Sequence, residues 1–190
     1  MTDEDGEERE DVYEPFRTPE PTPDDELCTC AGEPPLKLMS MRQVDGFNPV
    51  HCLDCNREVP PERLDLTRDL VDEIASWDRE HGAIGTLELE SGEYEDWATA
   101  RLLDPASPTN VEGRELAQRL SEQRRCYLWF FQSQVDEDWQ PLSVCPVCGG
   151  PLEPYEGGFF PQLLCERDRI VLPGGTQVVR GNPGSPGAPS

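Results

Sequence analysis

The sequence is short of lysine and histidine side chains. It contains a single lysine, Lys37, and two histidines against 39 acidic residues, and its formal net charge is −23 at pH 7. Phosphate backbones attract Lys and Arg, so nonspecific binding of nucleic acid is electrostatically disfavoured. With only His51 and His81 available, acid–base catalysis by histidine also has few candidates.

Long apolar runs are missing as well. The first ten residues are acidic, where a secretory signal needs basic and then apolar residues, and no uncharged apolar stretch long enough for a membrane span follows. We therefore expect a cytoplasmic protein that does not enter the membrane. In that reducing compartment, metal binding explains the eight cysteines better than disulfides do.

The signatures of common zinc and phosphate enzymes are also absent. The chain has no His-Glu-x-x-His, no His-x-Glu followed by Pro-Cys-x-x-Cys, no Gly-x-x-x-x-Gly-Lys loop and no Gly-x-Ser-x-Gly elbow. Acidic residues are so numerous that choosing a catalytic pair among them would be arbitrary. We predict no catalytic residue and expect the protein not to be an enzyme.

What the chain does have is two groups of cysteines, each built around a Cys-x-x-Cys pair. Such a pair places two thiolates one tight turn apart, which is half of a tetrahedral zinc site. The groups are Cys28, Cys30, Cys52 and Cys55, and Cys145, Cys148 and Cys165. Asn56 and Gly149 follow the two pairs, and both residue types tolerate the positive φ that turns amides toward sulfur. The pattern predicts two zinc-ribbon ends.

The second group has only three thiolates. Asp168 stands where a second Cys-x-x-Cys pair would end, and a carboxylate can ligate zinc, although three thiolates with one aspartate are an uncommon set. Cys126 is the alternative ligand, but it heads an apolar run, where a free cysteine is more often a small core residue. The remaining alternative is no fourth protein ligand or no metal. The sequence thus favours one zinc ion and allows a second.

Other interpretations of these residues are weaker. His51 adjoins Cys52, but a neighbour in an extended knuckle points away from the metal. The Cys-Thr-Cys segment of the first group could instead belong to the tail. Cys145-Pro-Val-Cys148 resembles a thioredoxin-type motif, but such a pair begins a helix, whereas this one runs into Gly149-Gly150-Pro151.

Between the two groups, the apolar pattern predicts a small α/β core. Thr67 is suited to cap a helix whose apolar residues between 70 and 77 share one face, and a short strand is expected around 85–89. A second helix over 97–102 should end before Pro105, and a third should follow Asn110. The run 126–131 has the β propensity of a buried core strand.

The predicted fold class is therefore α+β, with three helices and a few strands flanked by two zinc-ribbon ends and disordered tails. The acidic, proline-rich start and the Gly/Pro/Ser-rich end cannot bury enough apolar area to become ordered. The predicted divisions are an acidic disordered tail over 1–26, an N-terminal zinc ribbon over 27–60, an α/β core over 61–140, a C-terminal and potentially degenerate zinc ribbon over 141–172, and a flexible tail over 173–190.

A series of short motifs adds a family resemblance. The motifs are Asn48–Cys55 with Val59-Pro60, Trp77, Asp104–Ser107, Asn110, Gly113-Arg114, Tyr127, Cys145–Gly149 and Leu164–Glu166. In this order they resemble a family of uncharacterised bacterial proteins described as zinc-ribbon-containing and as candidates for nucleic-acid binding, over about residues 45–172. The chain departs from that pattern at Asp168, where the family has a cysteine, and Cys28-Thr-Cys30 lies outside the matched stretch. A weaker similarity, confined to Cys145–Gly149, is to myxobacterial double-CxxCG proteins, some of which resemble immunity factors.

Taken together, these features favour a zinc-binding, non-enzymatic adaptor protein whose acidic surface suits a basic protein partner. The first alternative, which the resemblance implies, is nucleic-acid binding, with Tyr127 or Trp129 available for stacking. An immunity-type protein that binds a toxin is the second alternative, and a zinc enzyme with an open metal position has the least support. The candidate nucleic-acid contacts are Arg114, Arg119, Arg124 and Arg125.

Overall fold

A computed structural model describes residues 11–17, 21–40, 48–133 and 140–174. These residues form a mixed α+β fold, as predicted. The α-helices are α1 (Arg68–Glu90), α2 (Glu95–Leu103) and α3 (Pro108–Leu120), of which α1 and α3 are long. Short 3₁₀ turns lie at Glu14–Phe16, Asp24–Glu26 and Pro61–Arg63, so the helical segments outnumber the three that were predicted.

Helix α1 confirms the predicted start and corrects the predicted end. The Thr67 hydroxyl accepts a hydrogen bond from the Leu70 amide at 3.4 Å, and the apolar residues that follow are buried. The strand predicted around 85–89 is wrong, because α1 continues through it to Glu90. The alternation of Leu87 and Leu89 with glutamates suits a strand, but extending an existing helix costs far less than starting a new element, and Leu and Glu are good helix formers.

Helix α2 ends before Pro105 as predicted, whereas α3 begins earlier than predicted. Ser107 is the N-cap of α3, and its hydroxyl accepts from the Asn110 amide at 3.4 Å. Pro108 takes the first helical position, where its missing N–H is not needed. Asn110 therefore lies inside the helix, and its buried side chain donates to the carbonyls of Leu102 and Asp104, each at 2.9 Å. It ties the end of α2 to the start of α3.

Six strands within the described residues form one sheet, in the order β2-β1-β3-β6-β5-β4. Its strands are β1 (Leu36–Leu38), β2 (Val50–Cys52), β3 (Cys126–Trp129), β4 (Glu153–Tyr155), β5 (Gln162–Cys165) and β6 (Ile170–Pro173). β3 pairs in parallel with β1 and β6, and the other pairs are antiparallel. The predicted core strand is confirmed as β3, although it ends at Trp129. Strands from both predicted ribbons thus join the same sheet.

Helices α1 and α3 pack on one face of this sheet. Leu36, Leu38 and Leu128 are buried there together with the apolar faces of α1 and α3. Close approach requires a glycine at position 113, because a Cβ at that position would lie 2.8 Å from the Trp77 ring nitrogen and 2.9 Å from Leu128. The Trp77 ring N–H donates to the Thr109 carbonyl at 3.0 Å, so its single polar group is satisfied.

Part of the predicted N-terminal tail is ordered. Phe16 is only 3% exposed in the core beside α1, and the Leu66 amide donates to the Tyr13 hydroxyl at 2.8 Å. The predicted tail over 1–26 thus contains residues that pack against the core, because two aromatic residues supply burial that the composition of the whole segment conceals. Residues 1–10, 18–20 and 175–190 lie outside the described part. Within that part, no helix has the length and apolar character needed to cross a bilayer.

Candidate metal centres

The fold brings the predicted ligands together in two groups that can each hold a metal ion. Within each group, the four donor atoms all lie within 4.8 Å of one another. The first centre consists of Cys28, Cys30, Cys52 and Cys55, and the second consists of Cys145, Cys148, Cys165 and Asp168. All eight cysteines of the chain are free thiols.

The first centre is built where β2 ends in a tight turn. The Asn56 amide donates to the Cys52 carbonyl at 3.0 Å, and Asn56 has the predicted positive φ, at 63°. The Cys52 amide donates to the Arg57 carbonyl at 2.8 Å, which closes the knuckle. The segment with the other two cysteines runs alongside, since the Cys28 amide donates to the Glu58 carbonyl at 2.7 Å.

The spacing of the first centre suits a tetrahedral metal with sulfur ligands. The sulfurs of Cys30 and Cys52 are 4.0 Å apart. A zinc–sulfur bond of about 2.3 Å implies tetrahedral edges of roughly 3.8 Å between sulfurs. A disulfide needs about 2.05 Å, so the observed distance is that of a ligand pair.

The crowding of four sulfurs changes their acidity. Burial, together with the neighbouring thiols of Cys55 and Cys28, raises the pKa of Cys30 to about 11, and burial likewise raises the pKa of Cys52. Burial also acts to raise the pKa of Cys28, but the Cys30 amide and the surrounding thiols outweigh it and hold that pKa below its ordinary value. The group can ionise fully only when a cation compensates the thiolates, which is what a bound divalent metal does.

Two basic side chains that were not among the predicted site residues lie against the first centre. The guanidinium of Arg63 donates to the carbonyls of Cys28 and Cys30, each at 2.7 Å, and lies 3.7 Å from the Cys28 sulfur. Lys37 is fully buried and donates to the Asn56 side-chain oxygen. Burial lowers the Lys37 pKa to about 8, and the thiols of Cys52 and Cys55 oppose that shift.

These cations matter because four thiolates around a divalent ion leave uncompensated negative charge. Lys37 lies over two aromatic rings, 4.7 Å from the centroid of Trp129 and 5.1 Å from that of Phe160. The burial of Lys37 could have been inferred from the sequence, because the chain's one lysine stands between the apolar residues Leu36 and Leu38. Arg63 gives no such signal, because its contacts reach more than 30 residues away.

The second centre joins two knuckles that face each other. In the first knuckle, Gly149 has the predicted positive φ, at 67°, and its amide donates to the Cys145 carbonyl at 2.9 Å. The Val147 amide points at the Cys145 sulfur, at 3.4 Å. The other knuckle is the turn between β5 and β6, in which Arg169, directly after Asp168, has a φ of 52°.

Asp168 occupies the fourth position of this centre. Its Oδ2 lies 3.2 Å from the Cys145 sulfur and 3.3 Å from the Cys165 sulfur, and the sulfurs of Cys148 and Cys165 are 3.8 Å apart. Tetrahedral edges of roughly 3.5 Å between oxygen and sulfur fit these distances. Burial acts to raise the Asp168 pKa, but hydrogen bonds from the three thiols outweigh it and lower that pKa, so the carboxylate is available as a ligand.

The other two candidate ligands lie elsewhere. Cys126 is fully buried in the core beneath the helices, in neither group, and burial raises its pKa to about 12. Its candidacy as the fourth ligand of the second centre is therefore wrong. His51 also lies outside both groups, and its Nδ1 is 3.5 Å from the Asn56 carbonyl oxygen. Burial and the nearby Lys37 lower the His51 pKa to about 4, so the imidazole is neutral.

No family model, curated protein or solved structure matches this chain. Each centre offers four donors, the number that a structural zinc site uses, whereas a catalytic zinc keeps one position for water or substrate. Cys145 and Cys148 lie in a turn rather than at the start of a helix, which removes the main support for a redox pair.

Proposed function

We propose that this protein is a non-enzymatic zinc protein in which two structural zinc ions stabilise an adaptor for a protein partner. The observation that carries the proposal is that both cysteine groups supply four converging donors from knuckles with the required positive φ. Such sites contribute metal-binding free energy directly to folding.

The donor chemistry supports zinc as the ion. Tetrahedral sets dominated by thiolates suit zinc and iron–sulfur chemistry, whereas calcium, magnesium and manganese prefer oxygen. The second centre, with Asp168 as its one oxygen donor, still offers three thiolates. We therefore propose one zinc ion per centre, with Asp168 as a ligand of the second.

The histidines support a role without catalysis. His51 is 3% exposed and His81 is 8% exposed, and burial lowers the pKa of each to about 4. Neither imidazole is accessible to a substrate, and neither titrates near neutral pH. A protein with closed metal centres and buried histidines is better suited to binding than to acid–base chemistry.

The proposal is tested by counting zinc on purified protein by inductively coupled plasma mass spectrometry. We expect two ions per chain, and one ion in each of the variants Cys52→Ser and Cys145→Ser. Cys126→Ser is the matched control, because it removes a buried thiol that belongs to neither centre; it should keep both ions. A parent protein without zinc, or a control that loses zinc as the other variants do, would contradict the proposal.

Nucleic-acid binding, which the family resemblance implies, has weaker support. All four candidate arginines have intramolecular partners: Arg114 donates to the Pro105 carbonyl, Arg119 pairs with Glu73, Arg124 donates to the Pro34 carbonyl and Arg125 pairs with Glu166. Tyr127, proposed for stacking, is fully buried. A salt titration of binding to random DNA and RNA separates the alternatives, because phosphate contacts make affinity fall steeply with salt. We expect no binding even at low salt.

A further inference from the structure

The junction of α1 and α2 exposes several large apolar side chains. Leu89 is 56% exposed, Tyr94 52% and Trp97 50%. We define the junction patch as Tyr94 and Trp97 together with the half-buried Leu87. Leu87, Tyr94 and Trp97 line a shallow depression of about 380 Å³. Single exposed apolar residues are ordinary, but a clustered set with a concave centre is typical of a docking site.

The rim of the junction patch is acidic. The chain has no lysine or arginine between Arg79 and Arg101. Between Leu87 and Trp97 it has five carboxylates, which are Glu88, Glu90, Glu93, Glu95 and Asp96. Burial and the charge of Glu95 raise the pKa of Glu88, so like charges already crowd this surface. A cationic partner would relieve that repulsion.

Trp97 also illustrates how a cation can bind here. The Arg101 guanidinium lies 5.8 Å from the Trp97 ring centroid, a cation–π arrangement. Tyrosine and tryptophan are the residue types that most often anchor protein interfaces, since they bury a large area and carry one polar group. The exposed half of each ring remains available to a partner.

We infer that the junction patch binds a basic amphipathic helix of a partner protein, with apolar anchors in the depression and lysines or arginines over the carboxylates. This inference rests on the proposed adaptor function and names its surface. A helix places apolar side chains three and four residues apart on one face, which matches a depression lined by three apolar residues. A second copy of this chain is a poorer occupant, because each copy carries a net charge of −23 and the same acidic rim.

The test uses an 18-residue peptide of leucine and lysine with amphipathic helical spacing, labelled with fluorescein and titrated with the purified full chain. Fluorescence anisotropy at physiological salt measures the affinity. One comparison peptide replaces every leucine by serine and keeps the lysines, and another replaces every lysine by glutamate. We expect only the leucine/lysine peptide to bind.

The protein variants locate the site. Tyr94→Ser combined with Trp97→Ser should weaken peptide binding at least about tenfold, since the double variant removes both aromatic anchors of the interface. Phe159→Ser is the matched control, because Phe159 is 79% exposed and lies outside the patch; it should leave the affinity unchanged. Both substituted residues of the double variant are about half exposed, so the fold should persist, which circular dichroism checks.

Several results would overturn the inference. These are equal binding by the double variant, equal binding of the serine peptide to the parent protein, and a parent dimer in sedimentation velocity that the double variant dissociates. Zinc content is measured on the same samples. Two zinc ions without peptide binding would refute the docking surface alone, whereas peptide binding by a protein without zinc would refute the metal proposal alone.

Discussion

The two metal centres are each built on the same type of turn, but they differ in the residues that surround them. Cys28 and Cys52 of the first centre belong to the large core between the sheet and helices α1 and α3. Cys145 and Cys165 of the second centre pack instead with Phe130 and a few residues of β6 in a smaller cluster. The Cys-x-x-Cys turn thus provides similar donor positions in a large core and in a small one.

The charges around the two centres differ as well. The first has four thiolates with the buried Lys37 and the guanidinium of Arg63 beside them. The second has three thiolates and the partly exposed Asp168, which is preceded along the sequence by the exposed Arg167 and has no buried cation directly after it. The knuckle determines the donor geometry, and the packing around it determines how much the metal contributes to stability. We therefore expect the first centre to contribute more to the stability of the fold.

The largest effect is expected from removing one ligand of each centre. Cys52→Ser should lower the free energy of unfolding by on the order of 5 kcal/mol, because it forfeits metal-binding free energy within the main core. Cys145→Ser should cost roughly half as much, since fewer residues pack around that centre. Urea unfolding followed by near-ultraviolet circular dichroism measures both. Equal losses, or a larger loss for Cys145→Ser, would contradict the expectation that the first centre contributes more to stability.

A pH titration measures how the buried His81 of α1 affects stability, separately from the acid-induced release of metal. Burial lowers the pKa of His81 to about 4 in the folded protein, against an ordinary value near 6.5. As the pH falls below 6.5, the unfolded state takes up a proton that the folded state refuses, so stability is lost down to about pH 4.

His81→Leu removes that contribution while leaving the cysteines intact. Between pH 6.5 and 5, the variant should lose roughly 2 kcal/mol less stability than the parent. Acid release of metal affects both proteins equally and cancels in the difference. Parallel stability curves for parent and variant would show that His81 does not resist protonation in the folded state.

A smaller effect, on zinc affinity, is expected from giving the second centre four thiolates like the first. Asp168→Cys should tighten zinc binding there about tenfold, because a thiolate is the softer ligand. Competition with a chromogenic chelator measures the change. Arg167→Cys is the matched control, since it adds a thiol to the same knuckle at a position outside the four-donor group and should not tighten binding. No gain for Asp168→Cys would mean that position 168 is not a ligand position.

The smallest effect should come from the knuckle residues with positive φ. Gly149 has a φ of 67° and open space around the position of a Cβ, so a substitution there tests backbone strain alone. Gly149→Ala should cost about 1 kcal/mol, whereas Gly149→Asn, which copies the first knuckle, should cost less because asparagine tolerates this conformation. Thermal unfolding compares the two, and equal costs would show that the knuckles are not equivalent.

Local chemistry explains why much of the two centres was predictable. Cysteine spacing, the residue after each pair and the cap at Thr67 all act within a few residues, and the structure places them as predicted. The apolar run of β3 is also a local signal, because its β propensity is high and its length suits one strand.

The rest depends on contacts between distant segments. β1, β3 and β6 pair in parallel although long stretches of chain separate them, so no periodicity announces that both ribbons share a sheet. Phe16 finds its place against α1 in the same nonlocal way. Lys37 is buried although it is charged, because thiols and aromatic rings from other segments surround it.

We propose that the two centres hold their zinc ions through different ligand sets. Zinc K-edge X-ray absorption on the metal-loaded protein tests it most directly. We expect seven sulfurs and one oxygen shared between two ions, with all eight ligands becoming sulfur in Asp168→Cys. Zinc bound mainly through nitrogen and oxygen, or a spectrum that Asp168→Cys leaves unchanged, would contradict it.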